Sequence, residues 1–230
     1  VLMSSSMLHP RSRISAVLYN YSKIINFGVK NSTGDYIIQL NNDTELMTPN
    51  WIQEMLGFAQ REDVGAVGVE LFYPDNTIQH AGIIIGIGGV AGHVFKNLPK
   101  GIHGYFSKDA MIQNLSAVTA ACIMTPKSIY DDVDYMDEKF KVAFNDVDFC
   151  LKIREKGKLI VYNPFVQFKH YESKSRGFED TPEKKERFQA EIDRFHDKWQ
   201  SVLDKGDPYY NINLRLDNDQ CAIRTEKVEY

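Results

Sequence analysis

Three places in this 230-residue chain carry side chains suited to chemistry on a charged substrate: Asp43, the pair Asp146 and Asp148, and His170. A hard divalent cation such as magnesium or manganese takes carboxylate oxygens, and manganese also accepts an imidazole. Such a cation beside a diphosphate would neutralise its charge and stabilise its departure. A separate carboxylate at a helix start could then remove a proton from an attacking hydroxyl. Asp43 suits the metal role and Asp146 the proton-accepting one. Each also has a plain structural reading: Asp43 as a turn cap, Asp146 as a helix N-cap and His170 as a hydrogen-bonded structural histidine. His80 and His93 are weaker candidates for a pocket, on the strength of their place beside a glycine-rich run. The occurrence of Asp43, Asp146 and His170 in one α/β pattern favours the chemical reading.

The elements that must position these groups follow from local pattern. Tyr36 to Leu40 reads as a buried strand, and Asn41-Asn42-Asp43-Thr44 stops it with turn and cap formers. Ligands of α/β sheets bind beyond the carboxyl ends of strands, which is where this acidic turn falls. Thr48-Pro49 then opens a helix whose apolar face is Trp51, Ile52, Met55, Leu56 and Ala59. Upstream, a short strand is expected over Ile14 to Tyr19, and a helix capped by Ser22 carries Ile24, Ile25 and Val29. Val64 to Leu71 supplies the next strand, and the alternation of strand and helix predicts a mostly parallel, doubly wound sheet.

From Pro74 the texture changes. The run Ala81 to Gly89 lacks the last glycine of Gly-x-Gly-x-x-Gly, because position 91 is Ala91, and it predicts a bent strand or hairpin rather than a phosphate loop. Phe95 to Ala110 reads as a long surface loop, either a lid or a peripheral excursion. Ser116 to Thr125 predicts a second buried strand, whose Ala117, Ala120 and Ala121 leave room for a pocket floor or for close helix packing. Phe144 to Asp148 leads into a helix ended by Gly157, and extended chain follows from Lys158 to Lys169. From Thr181-Pro182 a long amphipathic helix presents Phe188, Ile192, Phe195, Trp199 and Val202 on one face, with mixed charge opposite. Mixed charge favours a helix docked on the sheet over one lying on a membrane. A surface strap is expected after Gly206.

Composition bounds the function classes. A hydrophobic fraction of 43% with 25% charged residues is that of a globular protein with a substantial core. A net charge of -4 and no sustained basic stripe argue against nucleic acid as a partner. Cys122, Cys150 and Cys221 are widely spaced and read as reduced, cytosolic thiols rather than zinc ligands. No apolar run reaches the roughly 18 residues of a membrane span. Residues 1–13 read as a poorly ordered lead-in, 14–178 as the main domain, and 179–230 as a C-terminal helix and tail.

Several segments, in order, resemble family 2 glycosyltransferases, particularly the bacterial branch with rhamnosyltransferase-like enzymes of polysaccharide synthesis. They are GVKNSTGDYIIQLNNDTEL, DNTIQHAGIIIGIGGVAGH, VTAACIMTPKSIY, FNDVDFCLKIREKGKLIVYNP, HYESKSRG and DPYYNINL. The resemblance implies a GT-A fold, a nucleotide-sugar donor, a divalent metal (manganese or magnesium) and inversion in a single displacement. The family's Asp-any-Asp motif falls on Asn41-Asn42-Asp43, which leaves Asp43 as the metal and diphosphate residue, with Asn41 and Asn42 beside the donor. The family's acidic pair falls on Asn145-Asp146, making Asp146 the general base. His170 matches the position that completes the metal shell, and His80, Ala120, Asn145 and Asp148 are expected around the acceptor pocket.

The acceptor implied is a saccharide or lipid-linked saccharide met in the cytoplasm, at or near the inner membrane face. The family's opening strand and nucleobase-gripping loop have no counterpart between Val1 and Ile14. That predicts a missing upstream part of roughly 80 to 100 residues, the size of two strand–helix units, and an open sheet edge that a homodimer would cover. Two competing readings remain: a nucleotidyltransferase, which lacks its second acidic ligand here, and a silent binding or scaffold domain, which the amides Asn41 and Asn145 would suit.

Overall fold

The computed structural model describes residues 2–3, 19–171 and 181–225. The expected strand over Ile14 to Tyr19 lies almost wholly outside them. In chain order the strands are β1 (Leu2–Met3), β2 (Tyr36–Leu40), β3 (Thr44–Leu46), β4 (Val64–Phe72), β5 (Ile78–His80), β6 (Ile83–Ile85), β7 (Ala91–His93), β8 (Gln113–Leu115), β9 (Cys122–Pro126) and β10 (Leu159–His170). The helices are α1 (Tyr21–Lys30), α2 (Trp51–Ala59), α3 (Lys127–Asp132), α4 (Asn145–Glu155) and α5 (Pro182–Lys205).

One sheet runs β1-β2-β9-β4-β10-β3, with β5 added to β4 and β8 to β10. Among the described residues only β1 with β2 and β4 with β10 pair in parallel, so the sheet is mixed rather than mostly parallel. Strand β9 runs antiparallel to both of its neighbours, β2 and β4, and β3 and β8 pair antiparallel with β10, as β5 does with β4. An apolar run carries no record of strand direction, which is set by how the preceding chain returns to the sheet. The expected strand over Ser116 to Thr125 is correspondingly shorter. Its first half leaves the ladder because other groups take its backbone: Ala117 accepts from the Ile83 N–H, and Ala120 donates to the Asp146 carboxylate.

Strand β4 is buried along its whole length, as a central strand covered on both faces must be. Val67, Val69 and Leu71 pack with Trp51, Met55 and Ala59 of α2, while Ala66 and Phe72 join the larger core built with α1, α3, α4 and α5. Two helix starts differ from the sequence pattern. Asn20, not Ser22, caps α1 by accepting from the Lys23 N–H at 2.9 Å, and Ser22 is buried and donates to the Phe140 carbonyl. Helix α2 starts at Trp51, because Thr48 is engaged with β10, donating to the Phe165 carbonyl and accepting from the Gln167 N–H at 3.0 Å. The glycine-rich run forms the expected hairpin, β6 with β7, closed by a 3-10 turn over Ile87–Gly89. Gly88 there has φ +64, a conformation that favours glycine, and its N–H donates to the Leu216 carbonyl of the tail.

Helix α5 is docked on the sheet domain, with Phe195 and Trp199 in the main core. It braces α4 through two buried acids. Asp148, fully buried, accepts from Trp199 Nε1 at 2.8 Å and pairs with Lys198 Nζ at 2.6 Å. Glu191, 3% exposed, accepts the backbone N–H groups of Val142 and Ala143 in the loop before α4. Truncating Trp199 to alanine should cost about 3–5 kcal/mol of stability through the cavity it leaves. Trp199→Phe should cost less, about 1–3 kcal/mol, by depriving buried Asp148 of a donor. Denaturant midpoints of the two variants measure both.

Candidate functional site

The site forms where β2 ends and β10 ends. Antiparallel pairing of β3 with β10 sets His170 opposite Thr44, so the turn residue just before, Asp43, lies beside the imidazole. Asp43 Oδ1 is 3.1 Å from His170 Nε2, and Asn41 Nδ2 is 3.3 Å from the same nitrogen. The other ring nitrogen, Nδ1, donates to Gln79 Oε1 at 2.7 Å, while the Gln79 amide reaches the His170 carbonyl at 3.5 Å. Gln79 thus holds His170 at both ends, with Nδ1 carrying the proton and Nε2 turned to Asp43. A carboxylate oxygen and an imidazole lone pair facing each other call for a proton or a cation between them. An amide that fixes one ring nitrogen in this way leaves the other free to face a cation, so His170 and Asp43 could hold one.

Asp146 lies in the first turn of α4. Phe144, the residue before the helix, is left-handed at φ 58 and its ring packs on Phe188 and Phe195 of α5, so the cap is set by packing and not by a side-chain hydrogen bond. Asp146 Oδ1 accepts from the Val147 N–H at 2.9 Å and Oδ2 from the Ala120 N–H at 3.3 Å, with the Thr119 hydroxyl also bonded to the carboxylate. Burial nevertheless dominates and raises its pKa above the usual carboxylate range.

The segment Thr119–Ala121 connects the two acids. Ala121 accepts from the Asn41 N–H at 2.9 Å, and Ala120 donates to Asp146 while accepting from Tyr21 Oη at 3.1 Å. Thr119 donates its N–H to His80 Nε2 at 3.4 Å. His80 in turn meets His93, Nδ1 to Nδ1, at 2.9 Å, and His93 bonds to the Gln79 backbone. Desolvation lowers His93 to about 4 and His80 well below the usual imidazole value, so both rings are neutral at pH 7.

Asp43, Asn41, His170, Asp146 and Ala120 are therefore brought together, and Asn42 is exposed on the same turn. Three expected pocket residues are placed differently. His80 is fully buried and serves Thr119 and His93; Asp148 is fully buried against α5; Asn145, 6% exposed, donates to the Val142 carbonyl and shapes the loop before α4. Each is polar beside an apolar neighbour in sequence, and burial depth is not readable there. Gln79, Thr119 and Tyr21 escaped the sequence reading. No local pattern singles them out: that Gln79 is a polar residue in a strand buried throughout is visible only in the structure. Among the described residues no three His, Cys, Asp or Glu side chains gather in a metal-binding group.

Comparison with known proteins agrees with this architecture. The model of "Glycosyl transferase family 2" matches residues 19–133, half of the chain. The uncharacterized protein y4gI of Sinorhizobium fredii is 44% identical over 91% of this chain and 23% of its own length. The O-antigen biosynthesis protein RfbC of Myxococcus xanthus is 35% identical over 90% of this chain and 16% of its own length. The chain thus spans about a fifth of these curated relatives. Among solved structures, GalNAc-T7, crystallised with UDP, GalNAc and Mn2+, superposes with a TM-score of 0.53 at 10% identity, covering 80% of this chain and 36% of the other. That likeness establishes the GT-A fold expected from the sequence. With a family model spanning half its length and the layered sheet to match, the chain belongs to glycosyl transferase family 2.

Proposed function

We propose that this chain transfers a sugar from a nucleoside-diphosphate donor to a saccharide or lipid-linked acceptor in polysaccharide synthesis, with inversion at the anomeric carbon. The observation that carries this reading is the facing pair Asp43 Oδ1 and His170 Nε2 at 3.1 Å, tied through Thr119–Ala121 to Asp146. The likeness to RfbC, an O-antigen biosynthesis protein, supports the polymer class, and the UDP, GalNAc and Mn2+ of the GalNAc-T7 crystal support the donor and metal.

Asp43 would offer the carboxylate oxygen that manganese or magnesium takes, and His170 an imidazole nitrogen that manganese also accepts. Bound there, the cation would neutralise charge on the departing diphosphate. The chain's own residues do the rest. Gln79 keeps the His170 lone pair aimed, and Asn41 donates beside it. Asp146 takes the proton of the acceptor hydroxyl as its oxygen bonds to the anomeric carbon, while the bond from that carbon to the diphosphate oxygen breaks. One displacement needs no second carboxylate as a nucleophile. Residues 14–178 make the catalytic unit in this reading, and the helix in 179–230 is its brace.

Four measurements test it. Calorimetric titration of UDP, dTDP or GDP with Mn2+ should show binding of at least one nucleotide that requires the metal and is lost in Asp43→Ala; no metal-dependent binding of any of the three would sink the donor-site assignment. Asp146→Asn should lower kcat by about 10²–10⁴ with nucleotide binding retained. In the wild type, activity needs ionised Asp146, so kcat/KM should rise with pH through a value above the ordinary carboxylate pKa, the direction in which burial moves it. Gln79→Leu should release the His170 tautomer, seen in long-range 1H–15N spectra as loss of a fixed Nδ1–H, and weaken Mn2+ binding by about 10- to 100-fold.

A further inference from the structure

On β4 and β10 lies a cleft of about 220 Å³, which does not include Asp43 or His170 in its lining. Its floor is Glu70, 5% exposed, which accepts from Gln167 Nε2 at 2.7 Å. Lys100 Nζ donates to Gln167 Oε1 at 3.0 Å and sits 4.8 Å over the Phe72 ring. Asp109, 3% exposed, holds the wall by accepting from His103 Nδ1 and the Gly104 N–H, both at 2.8 Å. The lip is Phe165, a large aromatic side chain 61% exposed to solvent.

That exposure has a structural cause. Between Asn163, which faces Val69, and Gln167, which faces Glu70, three residues of β10 bulge out of the ladder at Pro164. Proline cannot donate to a ladder, and bulges re-aim side chains. The bulge places an apolar ring beside a row of buried hydrogen-bonding groups. Burial also pushes Glu70 up to about 7, so near neutral pH its carboxyl both donates and accepts.

The lining discriminates between ligand classes. A nucleotide needs more room, since sites for drug-sized ligands run from about 300 to 1,000 Å³. An anion would meet Glu70 and Asp109. A pyranose ring offers a C–H face to an aromatic ring and hydroxyl edges to carboxyl, amide and ammonium groups. We infer that this cleft is a saccharide-binding subsite that holds one sugar unit of the acceptor, remote from the hydroxyl that reacts, with Phe165 as the stacking platform and Glu70, Gln167 and Lys100 as hydroxyl partners. The inference rests on the glycosyl-transfer reading for its substrate class. Ile78 lines the cleft and its chain neighbour Gln79, on the other face of β5, holds His170, so the cleft and the candidate transfer site share one short strand.

The test is saturation-transfer NMR on the full chain with methyl glycosides of rhamnose, glucose, galactose and N-acetylglucosamine as probes. At least one should bind the wild type. Phe165→Ala should weaken it by tenfold or more, Phe165→Tyr should restore it, and Glu70→Gln should weaken it with an unchanged melting midpoint. Asp43→Ala should keep the saccharide signal while losing Mn2+-dependent nucleotide binding. A wild type that binds none of the four glycosides, or a bound signal indifferent to Phe165, overturns the subsite. Nucleotide binding in the absence of saccharide binding would leave the transfer reading standing alone, and the reverse would leave the cleft without it.

Discussion

The arrangement hangs on the backbone of Thr119–Ala121. This segment is buried or nearly so, is not part of a ladder, and must satisfy its N–H and C=O groups some other way. It does so on the functional residues themselves: Ala120 N–H on Asp146, Ala121 C=O on Asn41, Ala120 C=O on Tyr21, and Thr119 N–H on His80. A buried group left unpaired costs about 1–3 kcal/mol, so the segment fixes the acid of α4 relative to the turn after β2. The small side chains of Ala120 and Ala121 permit this approach.

The same economy appears on the far side of α4. Two acids of opposite helices are buried: Asp148 on α4 is met by donors from α5, and Glu191 on α5 by backbone N–H groups of the loop before α4. Removing one partner of such a set leaves a charge in an apolar surround, which makes the docking of α5 specific as well as stable. Phe144 completes the clamp: its left-handed backbone is a cost that the aromatic contacts with Phe188 and Phe195 offset. The start of α4 is thereby held from outside, and Asp146 inherits its position from α5.

The tail after α5 plays a comparable part for the hairpin. Asp207, 8% exposed, accepts from the Ile85 N–H at 2.8 Å and the Tyr209 N–H at 2.9 Å, and Asp219 accepts from the Phe95 N–H. The strap expected after Gly206 is a set of backbone-to-backbone and acid-to-backbone bonds that close the open side of β6 and β7. By holding the hairpin, it supports β7, whose His93 meets His80 beneath Thr119.

The sequence by itself determined element types where the signal is local. The apolar runs of β2 and β4, the amphipathic faces of α2 and α5, the hairpin in the glycine-rich run and the polar turn Asn41–Thr44 all follow from periodicity and backbone preference over a few residues. It also placed Asp43, Asp146 and His170 at element ends, through motif order. Tertiary structure alone decided the direction of β9, the true cap of α4, and the assignments of Asp148, Asn145 and His80 to packing. It alone revealed Gln79, whose partner His170 is 91 residues away in the chain. The physical reason is common to these cases. Burial and hydrogen-bond satisfaction are properties of what surrounds a group in space, and no window of neighbouring residues carries that information.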